Sequence, residues 1–64
     1  MTNKIKEIRT QKGMKQKELA VSAGISAPYL HDLELGARGA KPETLAKIAG
    51  ALGVKVEDLT GAEN

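Results

Sequence analysis

His31, Asp32 and Glu34 form the densest run of chemically capable side chains in this sequence. One imidazole and two carboxylates can hold a metal or move a proton, but both tasks need further partners. A metal site here lacks another ligand, because His31 is the single histidine and cysteine is absent. Glu57 and Asp58 are adjacent, so on a helix they face different ways and make no carboxylate pair. Ser22 and Ser26 read as a helix surface residue and a helix cap. No Gly-rich phosphate loop follows a strand-like segment. The expectation is a chain that is not an enzyme and takes no metal or cofactor. What remains is recognition chemistry, and the charges are arranged for it. Residues 1–17 carry six cations (Lys4, Lys6, Arg9, Lys12, Lys15 and Lys17) against Glu7, a net +5. The remainder carries four cations against seven acids, a net −3. A basic end on a near-neutral domain suits a polyanion-facing surface.

The elements that must position these groups are short helices. Gln16 to Leu35, QKELAVSAGISAPYLHDLEL, reads as two amphipathic helices joined by a tight turn. Leu19, Ala20 and Ala23 supply the inner face of the first. Gly24 sits at the turn, where a left-handed backbone costs glycine little. Ile25 fills the corner, and Leu30 and Leu33 form the inner face of the second. This is the helix-turn-helix pattern, whose second helix is shaped for the DNA major groove.

Gly13, Gly24, Gly36 and Gly53 each follow an apolar-periodic segment, as expected just past a helix end. They divide the chain into helices near 2–12, 16–23, 27–35 and 42–52, with a last turn near 56–60. Ile5 and Ile8 turn inward from the first helix. Leu45, Ile48, Ala49 and Leu52 make one face of the fourth. Pro42 suits that helix's first turn, and Glu43 with Lys47 has the spacing of an i,i+4 ion pair. Ser26 is a good cap for the third helix, with Pro28 tolerated in its first turn. Lys15 and Lys55 stand where a capping acceptor is missing, which costs about 1 kcal/mol in typical hosts.

Sixty-four residues allow one domain, 1–64, of which 61–64 are expected to fray. A chain this short buries only about 60% of its unfolded surface. Tyr29 is the single aromatic residue, so the core must be aliphatic. No run approaches the roughly 20 apolar residues that span a bilayer. No apolar segment near the start reads as a signal peptide, so a cytoplasmic protein is expected.

At this point the sequence resembles the phage-repressor and Cro-like (XRE-like) helix-turn-helix family of bacterial transcriptional regulators. IKEIRTQKGMKQKELA is similar to the family's opening pair of helices, GISAPYLHDLELG to its recognition helix, and ETLAKIAGALGVKVEDL to its closing helices. The resemblance implies an all-α, five-helix lambda-repressor-like domain. It also implies sequence-specific binding of double-stranded DNA, usually as a homodimer acting on a pseudo-palindromic operator. Gln16 resembles a family glutamine that holds a phosphate and braces the recognition helix; a helix N-terminus is a natural place for that contact. Lys15, Lys17, Tyr29, Arg38 and Lys41 are the other expected backbone contacts. Arg9 and Glu34 resemble a bracing pair between the first and third helices. Positions that read bases in relatives hold Ala27, Pro28, His31 and Asp32. The first two can touch a thymine methyl, His31 can donate to guanine or a phosphate, and Asp32 can accept from cytosine N4. None of them is Arg, Asn or Gln, so DNA shape is expected to carry part of the specificity. Val54, Val56 and Leu59 are the candidates for a dimer interface, and equally for monomer core. The alternative reading is a protein-interaction module, antitoxin-like, with weak and partner-dependent DNA binding. The acidic second half motivates it.

Overall fold

The computed structural model describes residues 4–60. Five helices follow in order: α1 Ile5–Gln11, α2 Gln16–Ala23, α3 Ala27–Leu35, α4 Pro42–Leu52 and α5 Val56–Thr60. Four of the five match the spans expected from apolar period and glycine placement. The first is shorter than the expected 2–12: it starts at Ile5, with Lys4 as the flanking residue, and ends at Gln11. The expected fraying of 61–64 and the helix start at residues 2 and 3 fall outside the described residues.

The turn between α2 and α3 has the geometry its sequence requires. Gly24 adopts φ +73°. Its N–H donates to the Val21 carbonyl at 3.1 Å, and the Ile25 N–H reaches back to the Ala20 carbonyl at 3.0 Å. This closes the end of α2 in a Schellman arrangement and drops Ile25 against the core. Ser26 then caps α3, its Oγ accepting the Tyr29 N–H at 3.2 Å.

The missing caps are partly replaced from inside the helices. The Lys15 N–H donates to Glu18 Oε1 at 2.8 Å, and the Lys55 N–H to Asp58 Oδ2 at 3.1 Å. In each case a carboxylate in the first turn reaches back to the residue before the helix. Its charge also sits at the positive end of the helix dipole. Glu43 and Lys47 do not form the expected pair: the ion pairs among the described residues are Arg9–Glu34 and Asp32–Arg38.

The core is aliphatic. Ile5, Leu19, Leu30, Leu33, Ile48 and Leu59 are its largest fully buried side chains, joined by Ala20, Ala23, Ala49 and Leu52. Every helix contributes to this cluster. Removing one of these leucines costs about 2–5 kcal/mol in comparable cores. α2 packs against α3 and α4, and α5 folds back on α1 and α4. The Lys4 N–H donates to the Leu59 carbonyl at 2.7 Å, tying the start of α1 to α5. Ile8 and Leu45, expected inward, are half-buried at the margin of the cluster, whereas Thr44 is buried. Leu59 therefore belongs to this chain's own core and has no surface left for a partner. Val54 and Val56 are half-buried against the same cluster. No described helix is long and apolar enough to cross a membrane.

Candidate nucleic-acid interface

α3 is anchored by a relay of charged and polar groups running from α1 through α2. Arg9 lies on α1, and its side chain is only 10% exposed. Its Nε donates to Glu34 Oε2 at 2.7 Å and its Nη2 to Glu34 Oε1 at 3.1 Å. Nη1 donates to the Met14 carbonyl at 2.9 Å, fixing the loop between α1 and α2. The planar fork of arginine matches a carboxylate in a way that lysine cannot. Glu34 Oε1 also accepts Gln16 Nε2 at 3.0 Å, and Gln16 Nε2 lies 3.4 Å from His31 Nδ1. Four residues thus join α1 and the first turn of α2 to the middle and the C-terminal end of α3. No buried side-chain N or O among the described residues lacks a partner, which is the condition under which a buried polar network stabilises rather than costs.

On the outer side of α3, Pro28 and His31 are exposed and Asp32 is half-buried. Ala27, grouped with them from the sequence, is half-buried and packs against the core cluster. Tyr29 is likewise half-buried against the core, so its ring serves packing as well as surface. Arg38 leaves the loop after α3 and returns over this face. Its guanidinium carbon lies 5.5 Å from the Tyr29 ring centroid, and its Nη2 is 3.6 Å from Asp32 Oδ2. The pair is solvent-accessible, with side chains 59% and 39% exposed, so its direct contribution to stability is small. Its effect is on charge: the carboxylate that would repel phosphates is offset by a cation beside it.

The cations expected at the DNA backbone come before and after α3 in the chain. Lys15 and Lys17 are exposed at the start of α2, and Arg38 and Lys41 are exposed in the loop after α3. Gln16 lies between the first two, half-buried because its amide is turned toward Glu34 and His31. His31, Asp32 and Glu34 do not converge into a metal-binding group among the described residues. Glu34 turns inward to Arg9, while Asp32 turns to Arg38.

Two features were beyond sequence reasoning. The Asp32–Arg38–Tyr29 contact depends on the path of the chain after Gly36, which no periodicity encodes. That Gln16 braces α3 was expected from the resemblance; that its amide also approaches His31 was not, because the approach spans two helices.

Comparison with known proteins agrees with this architecture. The helix-turn-helix family profile matches residues 5–59. The chain is 39% identical over 59 residues to the HTH-type transcriptional regulator DdrOP3 of Deinococcus deserti, covering 92% of this chain and 46% of that protein. It is 38% identical over 60 residues to the immunity repressor protein of Bacillus phage phi105, covering 94% of this chain and 42% of that one. The chain therefore spans less than half the length of these two relatives. Among solved structures, the N-terminal DNA-binding domain of the biofilm regulator SinR from Bacillus subtilis superposes with a TM-score of 0.78 at 33% identity, covering 92% of this chain and 88% of that one. The chain belongs to the helix-turn-helix family, in its XRE-like branch of transcriptional regulators and phage repressors.

Proposed function

We propose that this chain is a sequence-specific DNA-binding transcriptional regulator of the cytoplasm, neither an enzyme nor a metalloprotein, that acts as a dimeric repressor. α3 lies in the major groove with Pro28, His31 and Asp32 toward the bases. Lys15, Gln16 and Lys17 meet phosphates on one side, and Arg38 and Lys41 on the other. The observation that carries this reading is the exposed outer face of α3, locked to α1 and α2 through Arg9, Glu34 and Gln16 and flanked by exposed cations. A rigid helix between two basic edges suits a groove about 12 Å wide, walled by phosphates.

Size supports the dimer. The long dimension of the described chain is 30 Å. Successive major grooves on one face of DNA are about 34 Å apart, so one copy covers one half-site and a palindrome requires two. Among the described residues, Val54 and Val56 are half-buried apolar side chains beside and on α5 with surface left to contribute.

The test is selection of bound fragments from a random DNA library at roughly physiological salt, followed by sequencing. Enrichment of one inverted repeat is expected. Salt-sensitive binding with no enriched sequence would refute the reading. Val21 and Leu35, exposed at 74% and 67%, favour a second reading, in which the domain is a protein-interaction module whose DNA binding depends on a partner. Enrichment that appears only when a co-purifying protein is present would select it.

A further inference from the structure

The Arg9–Glu34–Gln16 relay ends on His31, and one proton arrangement makes a hydrogen bond of every contact in it. Glu34 is held as a carboxylate by two N–H bonds from Arg9, at 2.7 and 3.1 Å. A carboxylate accepts and does not donate. The Gln16 group 3.0 Å from Glu34 Oε1 must therefore be the amide nitrogen, and the amide cannot turn over without setting two oxygens face to face. That same nitrogen lies 3.4 Å from His31 Nδ1. A hydrogen bond between them runs from the amide to the ring, with Nδ1 accepting. A neutral imidazole accepting at Nδ1 carries its proton on Nε2.

From this we infer that the relay fixes His31 as the Nε2–H tautomer and makes it a preset hydrogen-bond donor for the acceptor edge of guanine. The inference rests on the DNA-binding reading above. In the major groove guanine presents two neighbouring acceptors, N7 and O6, whereas cytosine presents a donor. A ring locked as a donor distinguishes the two; a ring free to exchange tautomers accepts either edge. His31 is exposed on the outer side of α3, so Nε2 is open to a base. Arg9, Glu34 and Gln16 are positioning residues in this scheme: they touch no base, yet they decide which atom of His31 carries the proton. The scheme commits both amide hydrogens of Gln16 to Glu34 and His31, so any phosphate that Gln16 meets is held by its backbone N–H at the start of α2.

Two measurements on the full chain test this. The first is nitrogen-detected NMR of the free protein at a pH where the imidazole is neutral. The wild type is expected to show one tautomer, with a proton on Nε2 and none on Nδ1, and Gln16→Ala a mixture. A mixture in the wild type, or the same single tautomer in Gln16→Ala, would overturn the relay. The second is the base profile from library selection. The wild type is expected to favour guanine over cytosine about fivefold at one position of each half-site, the worth of one net hydrogen bond. His31→Ala should flatten that position and leave the others unchanged. Gln16→Ala should weaken the same preference as well as overall affinity. A guanine preference that survives His31→Ala, or a Gln16→Ala profile unchanged at lower affinity, would overturn the inference and leave sequence-specific binding standing. A wild type that enriches no sequence would instead remove the DNA-binding reading on which it rests.

Discussion

Glu34→Ala should be among the most destabilising changes available outside the aliphatic core. The substitution removes the acceptor of two Arg9 N–H bonds and one from Gln16. It leaves the Arg9 guanidinium with one remaining carbonyl, that of Met14. Arg9 is 8% exposed, so water does not readily replace the lost partner. Breaking a buried pair from one side typically costs about 3–5 kcal/mol. The Met14 bond and the remaining exposure put this case near the lower figure, about 3 kcal/mol. At roughly 4–8 °C per kcal/mol for a domain this small, the melting midpoint should fall by about 12–24 °C. Removing both charges should behave differently. Apolar replacement of a whole buried pair is often neutral or stabilising, so Arg9→Met with Glu34→Leu should lie within about 1 kcal/mol of wild type. Urea unfolding followed by helical circular dichroism compares wild type, Glu34→Ala and the double variant. If Glu34→Ala costs under about 0.5 kcal/mol, or if the double variant is no more stable than Glu34→Ala, the relay is not holding α3 to α1 and the argument fails.

Other changes test the remaining links. Gln16→Ala should weaken binding to every DNA sequence severalfold, because α3 loses its tie through Glu34 to the first turn of α2, while the salt slope stays the same because no charge is removed; titration at two salt concentrations reads both. Unchanged affinity would show that this tie does not position α3 on DNA. Asp32→Asn frees Arg38 from its carboxylate and removes a negative charge from the side proposed to face DNA. General affinity should rise severalfold and the salt slope should steepen by roughly one counterion, about 0.9 in log–log terms; a fall in general affinity would place Asp32 among the attractive contacts instead. Gly24→Ala meets nothing within 4 Å of the added carbon, so its cost is the left-handed backbone alone, about 1–2 kcal/mol by chemical denaturation. Val56→Lys should shift sedimentation of a DNA-bound complex from two copies toward one. An unchanged two-copy complex would move the interface away from α5.

The helices were legible because this sequence states their limits twice. Apolar spacing gives each inward face, and a glycine follows where the face ends, which is why α2, α3 and α4 match their expected spans. The site was legible in its parts and less so in its connections. Arg9 with Glu34 came from family resemblance; no spacing rule links residues on α1 and α3, because their meeting depends on how the helices cross. Ala27 was expected among the base-reading positions from the family resemblance, and Tyr29 at the DNA backbone. The structure shows both half-buried, because α3 lies close enough to the core for its flanks to pack. Leu59 illustrates the opposite limit. An apolar residue on a helix of five residues is equally consistent with core and interface, and only the fold-back of α5 onto α1 decides it.

The composition of α3 bears on how the proposed regulator can be specific at all. Only His31 and Asp32 on its outer face can hydrogen-bond to a base edge, and Asp32 is shared with Arg38. A good bidentate base contact discriminates by about 1–3 kcal/mol, and neither residue offers the bidentate donor geometry of arginine or asparagine. One copy therefore reaches about 2–3 kcal/mol of direct readout, below the roughly 4–10 kcal/mol that separates specific from general binding. Two copies on a palindrome double the contribution and reach only the lower end of that range. The balance must come from DNA shape, sensed through the spacing that the dimer imposes and through Arg38 beside the groove. The expectation that follows is sharp. Changing the base pairs between the half-sites, which α3 does not touch, should alter affinity about as much as changing a contacted pair. Affinity that ignores those central pairs would mean that the face of α3 reads more than its side chains allow.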